Sequence, residues 1–217
     1  MMFTSVKSKR YIHVGLIVSA LLGGVAEANA TAEDVHEIID ICTSSERIMK
    51  DYALIGMRIV YHDPKHDMDE TLRHLDEEMS RLESHPLSKK LHEEELSLQH
   101  GWDDIVKHLS QKLTKESALS LHHQIDKFAM ACEKVANDLA QDTGNEAESG
   151  VVHIAKLDLD VQELAGNYVM KAWDAMSDDE YYRDVAQIKA DYQKSMRLWR
   201  MQERVWYQQK SNHTSDH

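Results

Sequence analysis

The chain has 217 residues, 42% hydrophobic and 29% charged, with a formal net charge of −13. That acidity excludes nucleic acid and anionic lipid as partners, because phosphate-rich surfaces are bound by Lys and Arg that displace counterions. Its two cysteines, Cys42 and Cys132, form no Cys-x-x-Cys-His motif, so covalent haem attachment is excluded, while a disulfide between them and a pair of buried thiols both stay open.

Residues 1–30 read as an export signal. Lys7, Lys9 and Arg10 form a basic start, Val14 to Val25 an apolar run, and Ala28-Asn29-Ala30 a cleavage site. The run is shorter than the ~20 residues a spanning helix needs. The expected product starts at Thr31 in the periplasm, with secretion as an alternative, and has no stable membrane insertion after cleavage. Removing three basic residues and one acidic residue takes the net charge from −13 to −15.

After residue 30, Gly and Pro are scarce and helical periodicity dominates, with no alternating strand pattern. Thr31 caps a first helix carrying Val35, Ile38, Ile41, Ile48, Tyr52, Ile55 and Ile59, which ends before Asp63-Pro64. Asp67 and Glu70 form a capping box for a second helix, whose row Met68, Leu72, Leu75, Met79, Leu82 ends at His85-Pro86. A third helix is expected over 87–113. Thr114 caps a fourth carrying Leu121, Ile125, Phe128, Cys132, Val135 and Leu139. Asp142-Thr143-Gly144-Asn145 begins a loop that continues to Gly150, and a fifth helix is expected over 151–175. Ser177-Asp178-Asp179-Glu180 caps a sixth, and the tail from Ser211 is expected to fray.

Shifting by 116 residues places Val35, Ile38, Ile41, Ile48 and Tyr52 on Val151, Ile154, Leu157, Leu164 and Tyr168. The segment from Ser44 to Gly56 resembles the first-helix motif of the type IV pili methyl-accepting chemotaxis transducer N-terminal domain, the PilJ-type domain. Val151 to Trp173 is similar to that motif's second copy. The resemblance implies an all-α, antiparallel four-helix-bundle-like sensor domain, here extended by two further long helices. It divides the chain into the signal at 1–30, a four-helix unit over 31–142, a two-helix partial second repeat over 149–210, and a tail over 211–217.

The family also implies a small ligand held between helices, with Arg47, Tyr52 and Tyr168 as its candidate contacts in this chain. In the nitrate-sensing members, arginines of the motif hold the anion. Their places fall here on Asp40-Ile41-Cys42-Thr43, and in the second copy on Lys156, Asp158 and Glu163, so nitrate is not expected to bind. The expected function is a non-catalytic periplasmic sensor-like or adaptor bundle that binds a small ligand or a signalling or pilus partner protein. A homodimer is a further arrangement open to it.

The rival reading is a metal- or haem-binding bundle. His62 and His66, flanked by Asp63 and Asp67, are its candidate metal ligands. His92 and His100 also lie beside acids, whereas the adjacent His122 and His123 point about 100° apart on a helix and are poor partners for one ion. Met68 and Met79 read as core rather than haem ligands. No motif requires a cofactor, and no phosphate loop or nucleophile elbow suggests an enzyme. Trp199 and Trp206, a heptad apart among Arg200 and Arg204, are candidates for a partner-binding face.

Overall fold

The computed structural model describes residues 30–60, 62–84, 87 and 91–214, with side chains omitted at 202 and from 205 onward. Six α-helices and no strand occur among these residues: α1 (Ala32–Gly56), α2 (Pro64–Ser84), α3 (His92–Leu109), α4 (Lys115–Asp142), α5 (Glu146–Ala172) and α6 (Asp178–Thr214). The all-α expectation holds. The export signal lies outside the described residues, and no described helix is long and apolar enough to cross a membrane.

Caps start three of the six helices where their sequence signatures stand. Thr31 accepts from the Asp34 amide at 3.2 Å, and the Asp34 carboxylate accepts from the Thr31 amide at 2.7 Å. Thr114 and Ser117 form the same reciprocal pair for α4, and Ser177 accepts from the Glu180 amide at 3.2 Å for α6. The expected Asp67–Glu70 box does not start α2. Pro64 takes the first helical position, where its missing N–H is no loss, and Asp63 accepts from the His66 amide at 3.3 Å.

The first helix stops at Gly56, short of Ile59, which is 39% exposed. Arg58, His62 and Asp63 in the connection adopt left-handed φ angles of 60°, 60° and 47°. At the end of α1 the Trp173 ring presses onto Gly56, so closely that a Cβ there would lie 2.2 Å from Trp173 Cη2. The fifth helix begins at Glu146 rather than 151, because Asn145 caps it by accepting from the Ala147 amide at 3.1 Å. The sixth helix passes Ser211 and continues to Thr214.

Neighbouring helices run antiparallel, except α1 and α5, which are parallel. Tyr52 pairs with Ser117 at 3.1 Å, so α1 and α4 are antiparallel, and His74 with Asp40 and Lys134 with Glu94 place α2 and α3 antiparallel to α1 and α4. His36 lies 3.7 Å from Glu148, which sets α5 parallel to α1, and Lys171 pairs with Asp178 across the α5–α6 turn. Two groups thus share α1 and α4, one completed by α2 and α3 and the other by α5, on which α6 packs. The α1–α4 group is filled by Ile38, Ile41, Leu75, Leu98, Ile105, Leu121 and Leu139, all fully buried. Trp102 packs on Phe128 there and donates to Asp76 at 2.9 Å. The second group, α1, α4, α5 and α6, buries Glu46, His122, Asp160 and Asn167 among its apolar residues.

Candidate functional site: an acidic cavity between four helices

On α1 the inward seam runs Ile38, Cys42, Ser45, Met49 and Tyr52, and Glu46 falls within it, only 2% exposed. Facing it, α4 contributes His122 and Asp126 one turn apart, α5 Glu163 and α6 Asp184. Together with Glu133, Lys156, Asp191, Gln187, Ala129, Met130 and Leu159, these acids enclose a cavity of about 440 Å3. His122 stands just behind its wall.

Its electrostatics are one-sided. Burial pushes the Glu46 carboxyl well above the carboxylate range, and the charges of Asp126 and Glu163 push it further. Asp126 is raised to about 7 by burial and then by Glu163, Asp184 and Glu180. Glu163 is raised to about 7 by burial, with Lys156 opposing and Asp160, Asp184 and Asp191 adding. The lysine ion-pairs with Asp160 at 2.6 Å and Glu133 at 3.6 Å, and its charge also lowers Glu46 and Glu163 without pairing with them.

His122 is 1% exposed and neither of its ring nitrogens makes a hydrogen bond. Its Nδ1 lies 3.3 Å from Asp126 Oδ1 and its Nε2 lies 3.8 Å from Asp184 Oδ2, beyond hydrogen-bond length. Burial holds the imidazole below its ordinary range, and His123 adds to this. Asp126 Oδ1 is likewise buried without a hydrogen bond. Buried polar atoms in this state carry an unrecovered desolvation penalty. Carboxylates so placed take up protons or bind a cation, and an anion is repelled.

A second cluster joins α1 and α2. His74 Nε2 lies 2.6 Å from Asp40 Oδ2 and His74 Nδ1 lies 3.5 Å from Glu78 Oε1, while Arg81 pairs with Glu78. Among the described residues, only Asp40, His74 and Glu78 bring three donor atoms of metal-ligating type within 4.8 Å of one another. Both ring nitrogens already face carboxylates.

The expected site residues do not converge. Arg47 is exposed, Tyr52 is buried and hydrogen-bonded to Ser117, and Tyr168 is 66% exposed on the opposite face of its helix. The 116-residue shift explains this mismatch. Burial matches at an offset of 114, which pairs Ile38 with Val152, Glu46 with Asp160 and Ala53 with Asn167. Two residues rotate a helix by about 200°, so the apolar pattern of the expected repeat turns outward on α5. His62 and His66 are exposed and belong to no three-donor group, although His66 pairs with Glu70 at 3.6 Å. Cys42 and Cys132 are free, buried and adjacent across α1 and α4, where burial and the neighbouring thiol push Cys42 up. Trp199 is half-buried, Arg200 and Arg204 are exposed, and the Trp206 side chain lies outside the described residues. Met79 is core and Met68 packs against it.

Sequence reasoning missed Glu46, Asp126 and Asp184, set His122 aside as a ligand, and met Glu163 only as the place of a lost arginine. One signal was present, since Glu46 interrupts an apolar seam four residues after Cys42 and three before Met49. Asp126, Glu163 and Asp184 gave none, because an acid beside an apolar row looks solvated until a neighbouring helix covers it. No family model, no curated protein and no solved structure matches the chain.

Proposed function

We propose that this chain is an exported, non-catalytic, sensor-like helical bundle that binds a small cation in the cavity between α1, α4, α5 and α6. The observation that carries the reading is the cavity lining itself: Glu46, Asp126, Glu133, Glu163, Asp184 and Asp191 against Lys156 as its one basic residue. A structural role would favour apolar filling or paired charges, since unpaired buried charge is destabilising. Binding a cation relieves that repulsion, and ligation that tightens four helices is how such a bundle would signal to a protein partner. The resemblance to PilJ-type domains supports the sensor-like part, while the acidic lining argues for a ligand of opposite charge to nitrate.

Thermal melts of the purified chain in cations and in anions test this. Cations should raise the melting temperature by binding the folded state, and nitrate and nitrite should not. Stabilisation by either anion, with none by any cation, would overturn the reading.

A second reading, a metal-binding bundle, is favoured by the convergence of Asp40, His74 and Glu78. Metal analysis of protein recovered after export tests it. Stoichiometric metal that is lost in His74→Ala would support it, and metal-free protein would remove it.

A further inference from the structure

The charged residues of the cavity fall at two levels. On α4 they are Asp126 and Glu133, on α5 Glu163 and Lys156, and on α6 Asp184 and Asp191. Each pair is seven residues apart, two helical turns or about 10 Å. Between the levels the lining is Ala129, Met130, Leu159 and the uncharged Gln187. The cavity therefore has two acidic ends and a largely apolar middle, and it reaches solvent beside Met130, which is 71% exposed.

The two ends differ in how they are satisfied. At the Glu133–Asp191 end, Lys156 lays its methylene stem along the wall and sets its ammonium 2.6 Å from Asp160. At the other end Asp184 pairs with Arg183 at 3.4 Å, while Glu46, Asp126 and Glu163 meet no ammonium or guanidinium within ion-pair distance among the described residues. There His122, 1% exposed, turns both unbonded ring nitrogens toward Asp126 and Asp184. For Glu46, Asp126 and Glu163 that end lacks the ion pair that Lys156 supplies to Asp160 at the first. The carboxylates are too dispersed for a single ion, since no three donor atoms of this cavity lie within 4.8 Å of one another.

Resting on the cation-binding reading above, we propose that the ligand is a linear polyamine. One terminal ammonium sits among Glu46, Asp126, Glu163 and Asp184, the alkyl chain runs past Leu159 and Met130, and a second ammonium reaches Asp191. His122 backs this end from behind the wall, its Nδ1 3.3 Å from Asp126 and its Nε2 3.8 Å from Asp184.

Calorimetric titration of the mature chain with spermidine, putrescine, methylammonium, Mg2+ and Zn2+ at low salt tests the assignment. Spermidine, long enough to span two turns, should bind at least about tenfold more tightly than putrescine, because joining two ammonium groups makes the second contact intramolecular. Methylammonium should bind more weakly still. The Asp126→Asn/Glu163→Gln double variant should lose about tenfold or more in spermidine affinity, with its helical circular dichroism unchanged. Asp103→Asn/Asp104→Asn, on the exposed face of α3, should leave the affinity unaltered and so exclude general attraction to an acidic surface. Equal affinity for spermidine and methylammonium would overturn the proposal. So would binding of Mg2+ or Zn2+ without spermidine, although the cation-binding reading would then stand. Binding of none of these cations would remove both.

Discussion

Gly56 shows how one position joins two helices. The Trp173 ring occupies the space a side chain would need, with its nearest carbon 2.2 Å from where a Cβ would stand. Gly56→Ala must therefore displace an indole at the α1–α5 contact. We expect roughly 1–3 kcal/mol of destabilisation, typical of overpacking, measured as a shift in the urea midpoint with unchanged slope. An unaltered midpoint would mean that Trp173 turns away freely. The two cysteines illustrate burial acting on reactivity. Cys42 and Cys132 are buried side by side, and burial holds the Cys42 thiol well above its ordinary range. If they remain thiols, native protein should react with iodoacetamide far more slowly than unfolded protein, because the thiolate is the nucleophile. Rapid native labelling of either would contradict this placement. Comparing reduced and non-reduced masses of exported protein decides whether they have joined.

Helices here begin at caps and take their faces from packing. The Thr31–Asp34 box closes α1 at the residue where the expected signal cleavage leaves a new amino terminus. A free ammonium at Thr31 would keep its contact with the Asp34 carboxylate, and that negative charge also suits a helix N-terminus. Mass analysis of exported protein should therefore show Thr31 as its first residue, and retention of Met1 would make the chain a membrane-anchored module. Thr31→Ala should cost about 1 kcal/mol, as for other caps. The sixth helix has 37 residues and its antiparallel neighbour α5 has 27, so its last turns extend beyond the α5 start. Trp199, half-buried near that end, is the described aromatic by which a partner face can be tested. If the face serves a partner, Trp199→Ala should keep most of the thermal stability and lose association. A loss of ~3–5 kcal/mol would mark it as packing alone.

The bundle's response to pH follows from its buried acids. Asp126 and Glu163, each raised to about 7, face Glu46 on α1, His122 and Glu133 on α4, Lys156 and Asp160 on α5, and Glu180, Asp184 and Asp191 on α6. A carboxyl whose folded value is raised binds more protons folded than unfolded. Its stabilising effect is complete below the ordinary carboxylate range and is lost as pH rises through about 7. His122 and His153, lowered by burial, act in the opposite sense, and their effect is lost as pH falls below the usual imidazole range. Stability of the unliganded chain should thus decline from mildly acid to alkaline pH. Asp126→Asn/Glu163→Gln should flatten that decline and gain about 1–3 kcal/mol near pH 8, read by urea unfolding across pH. Parallel curves for parent and variant would show that the two acids ionise freely.

Six helices, the caps of α1, α4 and α6, and the apolar residues of α1 and α4 were readable from the chain, because capping and the helical repeat are local and act within a few residues. The start of α2 was misplaced by four residues because Pro64 outweighs a nearby capping pair, and the start of α5 because Asn145 caps before the Gly150 break. What only the tertiary structure decided is which polar residues are enclosed. Asp126 and Tyr168 each lie beside apolar rows in the sequence, yet one lines a buried cavity and the other points to solvent. Rotation of α5 by two residues and the covering position of α6 made that difference. Both depend on contacts between residues far apart in the chain, which no local pattern records.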